Sequence, residues 1–521
     1  MKNKPIKRAI ISVSDKTNVV EFAKYLVGRG VEILSTGGTE KALKEAHVKV
    51  KSVSVHTGFP EMMDGRLKTL HPKILGGILG MRSNPEHQKS MQQNEIAPID
   101  LVVVNLYPFV NTVADPNCKL EHAIENIDIG GPSMVRAAAK NYQDVAIVVE
   151  VEDYDRVMSE MENNQGCLTA DTRFYLAKKA FTHTAAYDGA ISNYLTSLDE
   201  NLKPQKYPGI LNLQYKRVLS LRYGENPHQQ AAYYSEGWHD EPCVGNARMV
   251  QGKQLSFNNL LDLNAALEIV KEFDEAACVI VKHNNPCGVA VGKDVFEAYA
   301  KALSCDPLSA FGGILGFNRE VDEKLANEIV KTFYECVVAP DYPYEAKQAF
   351  LKKKDLRVLY TLPTRRYEIE GFDAKKVVGG LLVQDRDTAL TFAKDGKVAT
   401  KRAPTVLELN DLDFAWKVCK HVKSNAIVYA KNGKTLGIGA GQMSRVDSVK
   451  FGAMKARESL SGAVMASDAF FPFRDSIDLA KEYGIAAIIQ PGGSIRDAEV
   501  IQAADEHNIA MILTGERHFK H

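Results

Sequence analysis

Residues 8–39 read RAIISVSDKTNVVEFAKYLVGRGVEILSTGGT, and the periodicities in this stretch decide the fold. Ala9-Ile10-Ile11-Ser12-Val13 is an apolar run of strand length. Val19, Val20, Phe22, Ala23, Leu26 and Val27 then recur at helical spacing, and Gly30 supplies a helix stop. Val31-Glu32-Ile33-Leu34-Ser35 is a second strand. Further strands are expected at Leu101–Asn105 and Val145–Val149, so residues 8–150 form an α/β layered domain of parallel strands joined by right-handed crossovers. Ligands in such sheets bind at the carboxyl ends of the strands.

Beyond this domain the pattern changes. Residues 168–200 look mainly helical. Leu202-Lys203-Pro204-Gln205-Lys206-Tyr207-Pro208-Gly209 then breaks the periodicity with two prolines and a glycine. The expected division is therefore 1–200 and 201–521, the second part being long enough to split again near 370. A faint echo links IVKHNNPCGVAVG (280–292) to IVYAKNGKTLGIGAG (427–441). Each reads as strand, turn and Gly-punctuated strand, which suggests a duplicated α/β unit.

The chain has 521 residues, too many for a single core. Lys+Arg and Asp+Glu both number 65, so no global basic field exists to grip nucleic acid. Any positive charge that matters is local, which suits small anionic substrates. The eight cysteines include no Cys-x-x-Cys pair, which argues against a disulfide framework or a zinc knuckle. No apolar stretch approaches the roughly 20 residues of a membrane span, and the N-terminus reads as a strand, not a signal peptide. The expectation is a cytoplasmic protein.

Four segments of the first domain carry donor-rich turns or loops. Ser14-Asp15-Lys16-Thr17 follows the first strand, and Thr36-Gly37-Gly38-Thr39 opens a helix after the second. Backbone N–H groups at such a helix start can cradle a phosphate. Gly65-Arg66-Leu67-Lys68-Thr69-Leu70-His71-Pro72-Lys73 concentrates cationic side chains suited to a phosphate or a developing oxyanion. Ile127-Asp128-Ile129-Gly130-Gly131-Pro132 opens another helix, on which Arg136 and Lys140 share a face. Each motif alone is as well explained by a tight turn, an N-cap or a surface charge pair.

Together, SVSDKT, STGGT, TGFPEMMDGRLKTLHPK, NLYPF and IDIGGPSMVRAAAKN resemble the IMP cyclohydrolase domain of the bifunctional purine biosynthesis proteins, whose fold is methylglyoxal-synthase-like. The resemblance implies that Ser14, Asp15, Lys16, Thr36, Gly37, Gly38, Thr39, Arg66, Lys68 and Thr69 hold the nucleotide. It places Asn105, Tyr107, Asp128, Ile129 and Lys140 around the closing ring, with Lys68, Lys140, Asp128 and Tyr107 catalytic. Ring closure needs a carboxamide nitrogen to attack a formyl carbon of the same molecule and water to leave. Positioning does much of that work, and the chemistry requires no metal.

In the second domain, Leu221-Arg222-Tyr223-Gly224-Glu225-Asn226-Pro227-His228-Gln229 puts an arginine where a strand gives way to a loop. Val279-Ile280-Val281-Lys282-His283-Asn284-Asn285-Pro286-Cys287-Gly288 ends an apolar strand on Lys-His. Both side chains reach one cavity only if the strand bends at His283. LRYGENPHQ, KHNNPCG, SAFGG, KSNAIVYAKNG, GIGAGQMSR, SDAFFPFRD and the closing RHFKH resemble the AICAR transformylase domain of the same bifunctional family, a duplicated cytidine-deaminase-like fold. By that resemblance Lys282 and His283 are catalytic, while Arg222, Tyr223, Gly312, Glu335, Asn425, Arg517 and Phe519 bind the ribotide. Arg445, Val446, Phe470, Phe473, Asp475, Gly492 and Gly493 line the folate side. Some family members carry Asp at the position of Glu335.

The resemblance implies AICAR, formyl-AICAR and IMP as ligands, 10-formyltetrahydrofolate as co-substrate, and a homodimer. It implies neither nucleic acid nor membrane as partner. Two other readings compete. A zinc deaminase is suggested by His239-Asp240-Glu241-Pro242-Cys243, but the Pro-Cys follows too closely and Asn246 stands where a second Cys is needed. A non-catalytic nucleotide sensor would not need Lys68, Asp128, Lys140, Lys282 and His283 together.

Overall fold

The structure, a computed structural model, describes residues 4–237, 239–363 and 371–521. It divides into two compact units, one ending at Gln214 and one beginning at Tyr215. The division thus falls later than the Pro/Gly-rich segment at 202–209. That segment turns back onto the long helix Ala170–Ser197, where Gly209 N–H donates to the Thr196 carbonyl (2.8 Å) and Leu198 bridges Pro204. Asn212 N–H donates to Asn193 Oδ1 (2.7 Å), so the segment stays with the first unit.

The first unit is built on a five-stranded, wholly parallel sheet. Its strands are β1 (Arg8–Val13), β2 (Glu32–Ser35), β3 (Lys51–Ser52), β4 (Leu101–Asn105) and β5 (Ala146–Val148). They lie in the order β3-β2-β1-β4-β5, so the winding reverses between β1 and β4. The central strands are apolar on both faces because helices cover both. Ile10, Val102, Val104 and Ile147 pack into one core, and Ala9, Ile11, Val103 and Val148 into the other.

The second unit is dominated by one 12-stranded mixed sheet. Apart from it stand two small hairpins. One pairs β6 (Lys216–Leu221) with β7 (Ala231–Ser235); the other pairs Phe372–Val377 with Gly380–Asp385. The large sheet holds β8 (Arg248–Gln251), β9 (Ala276–Lys282), β10 (Asn285–Gly292), β11 (Ile314–Phe317), β12 (Cys336–Ala339) and β13 (Arg357–Tyr360). After the hairpin strands, here β14 (Phe372–Val377) and β15 (Gly380–Asp385), it continues with β16 (Lys397–Val398), β17 (Ile427–Lys431), β18 (Lys434–Gly439), β19 (Val464–Ser467), β20 (Ala487–Gln490) and β21 (Ala510–Leu513).

Read outward from the middle, one half runs β10-β9-β11-β12-β13-β8 and the other β18-β17-β19-β20-β21-β16. Each strand of the first half has its counterpart at the same place in the second, so the faint sequence echo is a full duplication. The halves join through β10 and β18, where Thr435 Oγ1 accepts from Val289 N–H (2.9 Å) and donates to the Val289 carbonyl (3.2 Å). A shared core runs from Leu263 and Val281 to Val428 and Ile512, so the unit does not split into subdomains. Position 370, near which a split was expected, lies outside the described residues.

Candidate active sites

In the first unit, the carboxyl ends of β1, β2 and β4 surround a cavity of about 560 Å³ at the point where the winding reverses. Ser14, Lys16, Thr36, Gly37, Gly38, Thr39, Arg66, Lys68, Thr69, Asn105, Tyr107, Asp128 and Ile129 all line it. Gly37 has φ 56° and starts the helix Gly37–Glu45, whose first residues line the cavity together with Lys16 and Lys68. A Cβ at Gly37 would lie 3.6 Å from Lys68 Nζ and one at Gly38 3.7 Å from Lys16 Nζ, which measures how closely the two ammonium groups flank the helix start. Helix dipole, free N–H groups and two lysines make an anion site.

Several expected ligands hold the site together. Thr39 is buried, and its hydroxyl accepts from Val13 N–H (3.0 Å) and donates to the Val13 carbonyl (2.9 Å). Asn105 clamps the loop after β1: Oδ1 accepts from Ser14 N–H (2.6 Å) and Asp15 N–H (2.9 Å), and Nδ2 donates to the Asp15 carbonyl (3.0 Å). Asp15 lies outside the cavity lining, its carboxylate turned to Thr17 (2.7 Å). Arg66 pairs with Glu125, and Lys68 with Glu61 (2.9 Å), so an incoming anion must compete with carboxylates for both cations.

Asp128 lies at the cavity wall. Burial raises its carboxyl above the ordinary Asp range, opposed by hydrogen bonds from the Gly131 and Gly130 N–H groups. The contact is close: a Cβ at Gly131 would stand 2.2 Å from Asp128 Oδ2, and one at Gly130 2.6 Å from Thr69 Oγ1. Lys140 is not brought to this cavity. It is exposed at the far end of the helix Gly130–Lys140, about 15 Å along the axis from Gly130 by the 1.5 Å rise. The helical pattern placed it on a face but could not say which end of the helix meets the site.

In the second unit, the strand directions put the transformylase candidates on one edge of the large sheet. Lys282 ends β9, while Gly312 lies two residues before β11 and Glu335 immediately before β12, both strands running antiparallel to β9. Asn425 precedes β17, and the segments holding Phe470, Phe473 and Asp475, then Gly492 and Gly493, then Arg517 and Phe519, follow β19, β20 and β21. The loop with Arg222 and Tyr223 is fixed to the same neighbourhood, since Asn258 Nδ2 in the helix Phe257–Val270 donates to the Glu225 carbonyl (3.4 Å).

Lys282 and His283 line a cavity of about 330 Å³ with Cys287, Asp306, Ser309, Gln442 and Lys455. The chain turns at His283 (φ 54°) and Asn284 (φ 60°), the bend that both side chains need to share a cavity. Lys282 Nζ donates to the Phe311 carbonyl (2.8 Å). Burial pushes the Cys287 thiol up to about 12, so it is no nucleophile. Asp306 caps its own helix through Ser309 and lies 3.5 Å from Lys455. Gln442 comes from the GIGAGQMSR block, whereas Lys455 carried no local signal and joins this cavity through the β10–β18 junction.

Other candidates are tied to each other. Arg222 donates to the Tyr223 hydroxyl (2.9 Å), and Glu335 pairs with Arg357 (2.7 Å). Arg445 is buried, bonded to Asp468 and to Asn425 Oδ1 (2.6 Å), so it acts as the support of Asn425 and not as an exposed folate contact. Val446 is half-buried beside it. Phe470 and Phe473 are partly exposed, with the Arg496 guanidinium 4.6 Å from the Phe473 ring centre. Asp475 is exposed, and Gly492 and Gly493 have φ 73° and 96°. Arg517 lies over the Phe519 ring at 4.4 Å. Of the rival zinc motif, His239 contacts Glu236 (3.1 Å). Among the described residues no group of three or more His, Cys, Asp or Glu is placed to hold a metal ion.

Residues 138–455 match the family model described as AICARFT/IMPCHase bienzyme, and residues 18–133 match the MGS-like domain. A solved structure described as that of ForH is 34% identical over 36% of this chain and 97% of its own, with a TM-score of 0.33, too low to bear on the fold.

Proposed function

The chain belongs to the AICARFT/IMPCHase bienzyme family, enzymes of purine biosynthesis that formylate AICAR and close the product to IMP, and we infer from the site geometry which residues do each step. The family uses 10-formyltetrahydrofolate; the partly exposed Phe470 and Phe473 offer flat apolar surface to a pterin, and we assign that donor to this chain.

In formyl transfer, the 5-amine of AICAR attacks the formyl carbon of the folate. Its nucleophilicity is low, so a base must take the amine proton as the C–N bond forms. His283 is that base, held on the bent end of β9. Lys282 stabilises charge on the formyl oxygen or protonates the departing folate nitrogen. Arg222, Tyr223 and Arg517 bind near the ribotide phosphate, and Asn425 and Glu335 the nucleotide. In cyclisation, the helix start at Gly37 with Lys16 holds the phosphate. Lys68 stabilises the alkoxide formed when the carboxamide nitrogen attacks, and Asp128 with Tyr107 moves the protons that release water. Lys140 stands outside this cavity and is given no step in this scheme.

The observation that carries the two-site reading is the placement of Lys282 and His283 in one unit and of Lys68 and Asp128 around a separate cavity in the other. A homodimer in the cytoplasm is the setting we propose; no helix among the described residues is long and apolar enough to cross a membrane. The test is an absorbance assay of His283→Ala, given AICAR with 10-formyltetrahydrofolate and, separately, formyl-AICAR alone. Formyl transfer is expected to fall by about 10²–10⁴-fold while ring closure is unchanged. Retained formyl transfer would remove His283 from the mechanism.

A further inference from the structure

The two-fold internal symmetry lets each catalytic feature be compared with its own duplicate, and one buttress stands out. In the first half the turn between β9 and β10 is His283-Asn284. Its two N–H groups both donate to one carboxylate, His283 to Asp262 Oδ2 (3.3 Å) and Asn284 to Asp262 Oδ1 (2.6 Å). In the second half the turn between β17 and β18 is Asn432-Gly433. Their N–H groups donate in the same way to Asp411 Oδ2 and Oδ1 (3.0 Å each). The preceding lysines match as well: Lys282 Nζ donates to the Phe311 carbonyl and Lys431 Nζ to the Ser461 carbonyl, both at 2.8 Å.

The duplicated frame is therefore Lys, a two-residue left-handed turn, and an Asp clasp from the helix behind it. Asn-Gly is the sequence such a turn prefers. His-Asn is not, because a histidine at φ 54° carries a Cβ where the backbone favours none. A left-handed residue at a proposed catalytic base is a reason to look for what holds it there. Among the described residues, Asp262 is what grips both N–H groups of that turn. The geometry points to Asp262 as a positioning residue for formyl transfer: its carboxylate fixes the His283-Asn284 turn and so aims the imidazole at the amine. Asp411 does the same structural work at a turn with no histidine, on the opposite edge of the sheet. This inference rests on His283 being the base.

That symmetry supplies the control. In the full chain, Asp262→Asn keeps one acceptor oxygen and loses the paired grip; Asp411→Asn makes the same change in the duplicate. Transformylase kcat is expected to fall on the order of 10–100-fold in Asp262→Asn, with KM for AICAR held within about threefold, as displacement of a catalytic group predicts. Asp262→Glu, which restores a carboxylate, recovers part of that loss. Asp411→Asn keeps kcat within about twofold at a comparable loss of thermal midpoint. Ring closure of formyl-AICAR by the same preparations reports on the first unit, and the urea-unfolding transition of the second unit reports that the frame around Asp262 and Asp411 is folded. Equal effects of the Asp262 and Asp411 variants, or a change in Asp262→Asn confined to KM, would overturn the proposal. His283→Ala distinguishes the two layers: if it transfers formyl normally, the base assignment itself has failed; if it is inactive while Asp262→Asn is normal, only the positioning role has failed.

Discussion

At the scale of the residue, Asp128 shows how the same feature serves chemistry and weakens the fold. Its carboxyl is buried and pushed above the ordinary range, with two backbone N–H groups only partly offsetting the loss of water. For an acid whose folded pKa is raised, the folded state carries a penalty at every pH above that pKa. The penalty disappears as pH falls to the unfolded value, near 3.9. Asp128→Asn should therefore melt at a higher temperature than the parent at pH 7, and the advantage should vanish on acidification toward pH 4. Its cyclisation should meanwhile fall on the order of 10²-fold, with formyl transfer untouched. Melting curves at the two pH values check the first part; a midpoint at pH 7 no higher than the parent's would show that burial of this carboxylate is fully compensated.

At the scale of the element, glycines set how closely helices approach the large sheet. In β10 a Cβ at Gly288 would lie 2.0 Å from the Ala302 carbonyl oxygen; in β18 one at Gly437 would lie 2.1 Å from that of Gly452. The two helices, Val295–Cys305 and Arg445–Lys455, are seated through the same device in each half. Because the obstacle is backbone and not a flexible side chain, Gly437→Ala must push a whole helix outward. A loss of about 1–3 kcal/mol or more is expected in urea unfolding of the second unit. The first unit's transition should not move.

The same scale shows what was readable beforehand. The strands β1, β2 and β4 and the Gly-Gly helix starts follow from period and turn chemistry, because local pattern decides them. The bend at His283 was readable for the same reason, since the Asn-Asn-Pro that follows signals a turn, although Asn285 and Pro286 already open the next strand. The burial of Arg445 was not: the resemblance put it on the folate side, and only the pairing of β17 with β19 brings Asp468 to bury it. Asp262 was equally silent, one polar position in the helical run LLDLNAAL. The 202–209 segment misled because prolines report a break in periodicity and not which unit the chain then folds against.

At the scale of the whole molecule, the two activities need not share atoms. Formyl transfer to so poor a nucleophile as the AICAR amine draws forward when its product is removed, and ring closure with loss of water removes it. That coupling asks only that both sites see the same intermediate. Every residue lining the first unit's cavity lies between Ser12 and Met134, and the two cores beneath it are drawn from Ile6–Tyr187. The 28-residue helix Ala170–Ser197 and its returning segment close the unit before Gln214. A fragment comprising Met1–Gln214 should therefore fold in a single cooperative transition. It should convert formyl-AICAR to IMP with kcat/KM within about threefold of the full chain, while lacking formyl transfer altogether. Calorimetry and the absorbance assay decide it. A fragment that fails to unfold cooperatively, or that folds and loses ring closure, would mean that the cyclohydrolase cavity depends on the second unit, and the coupling of the two steps would then have to be sought in structure as well as in mass action.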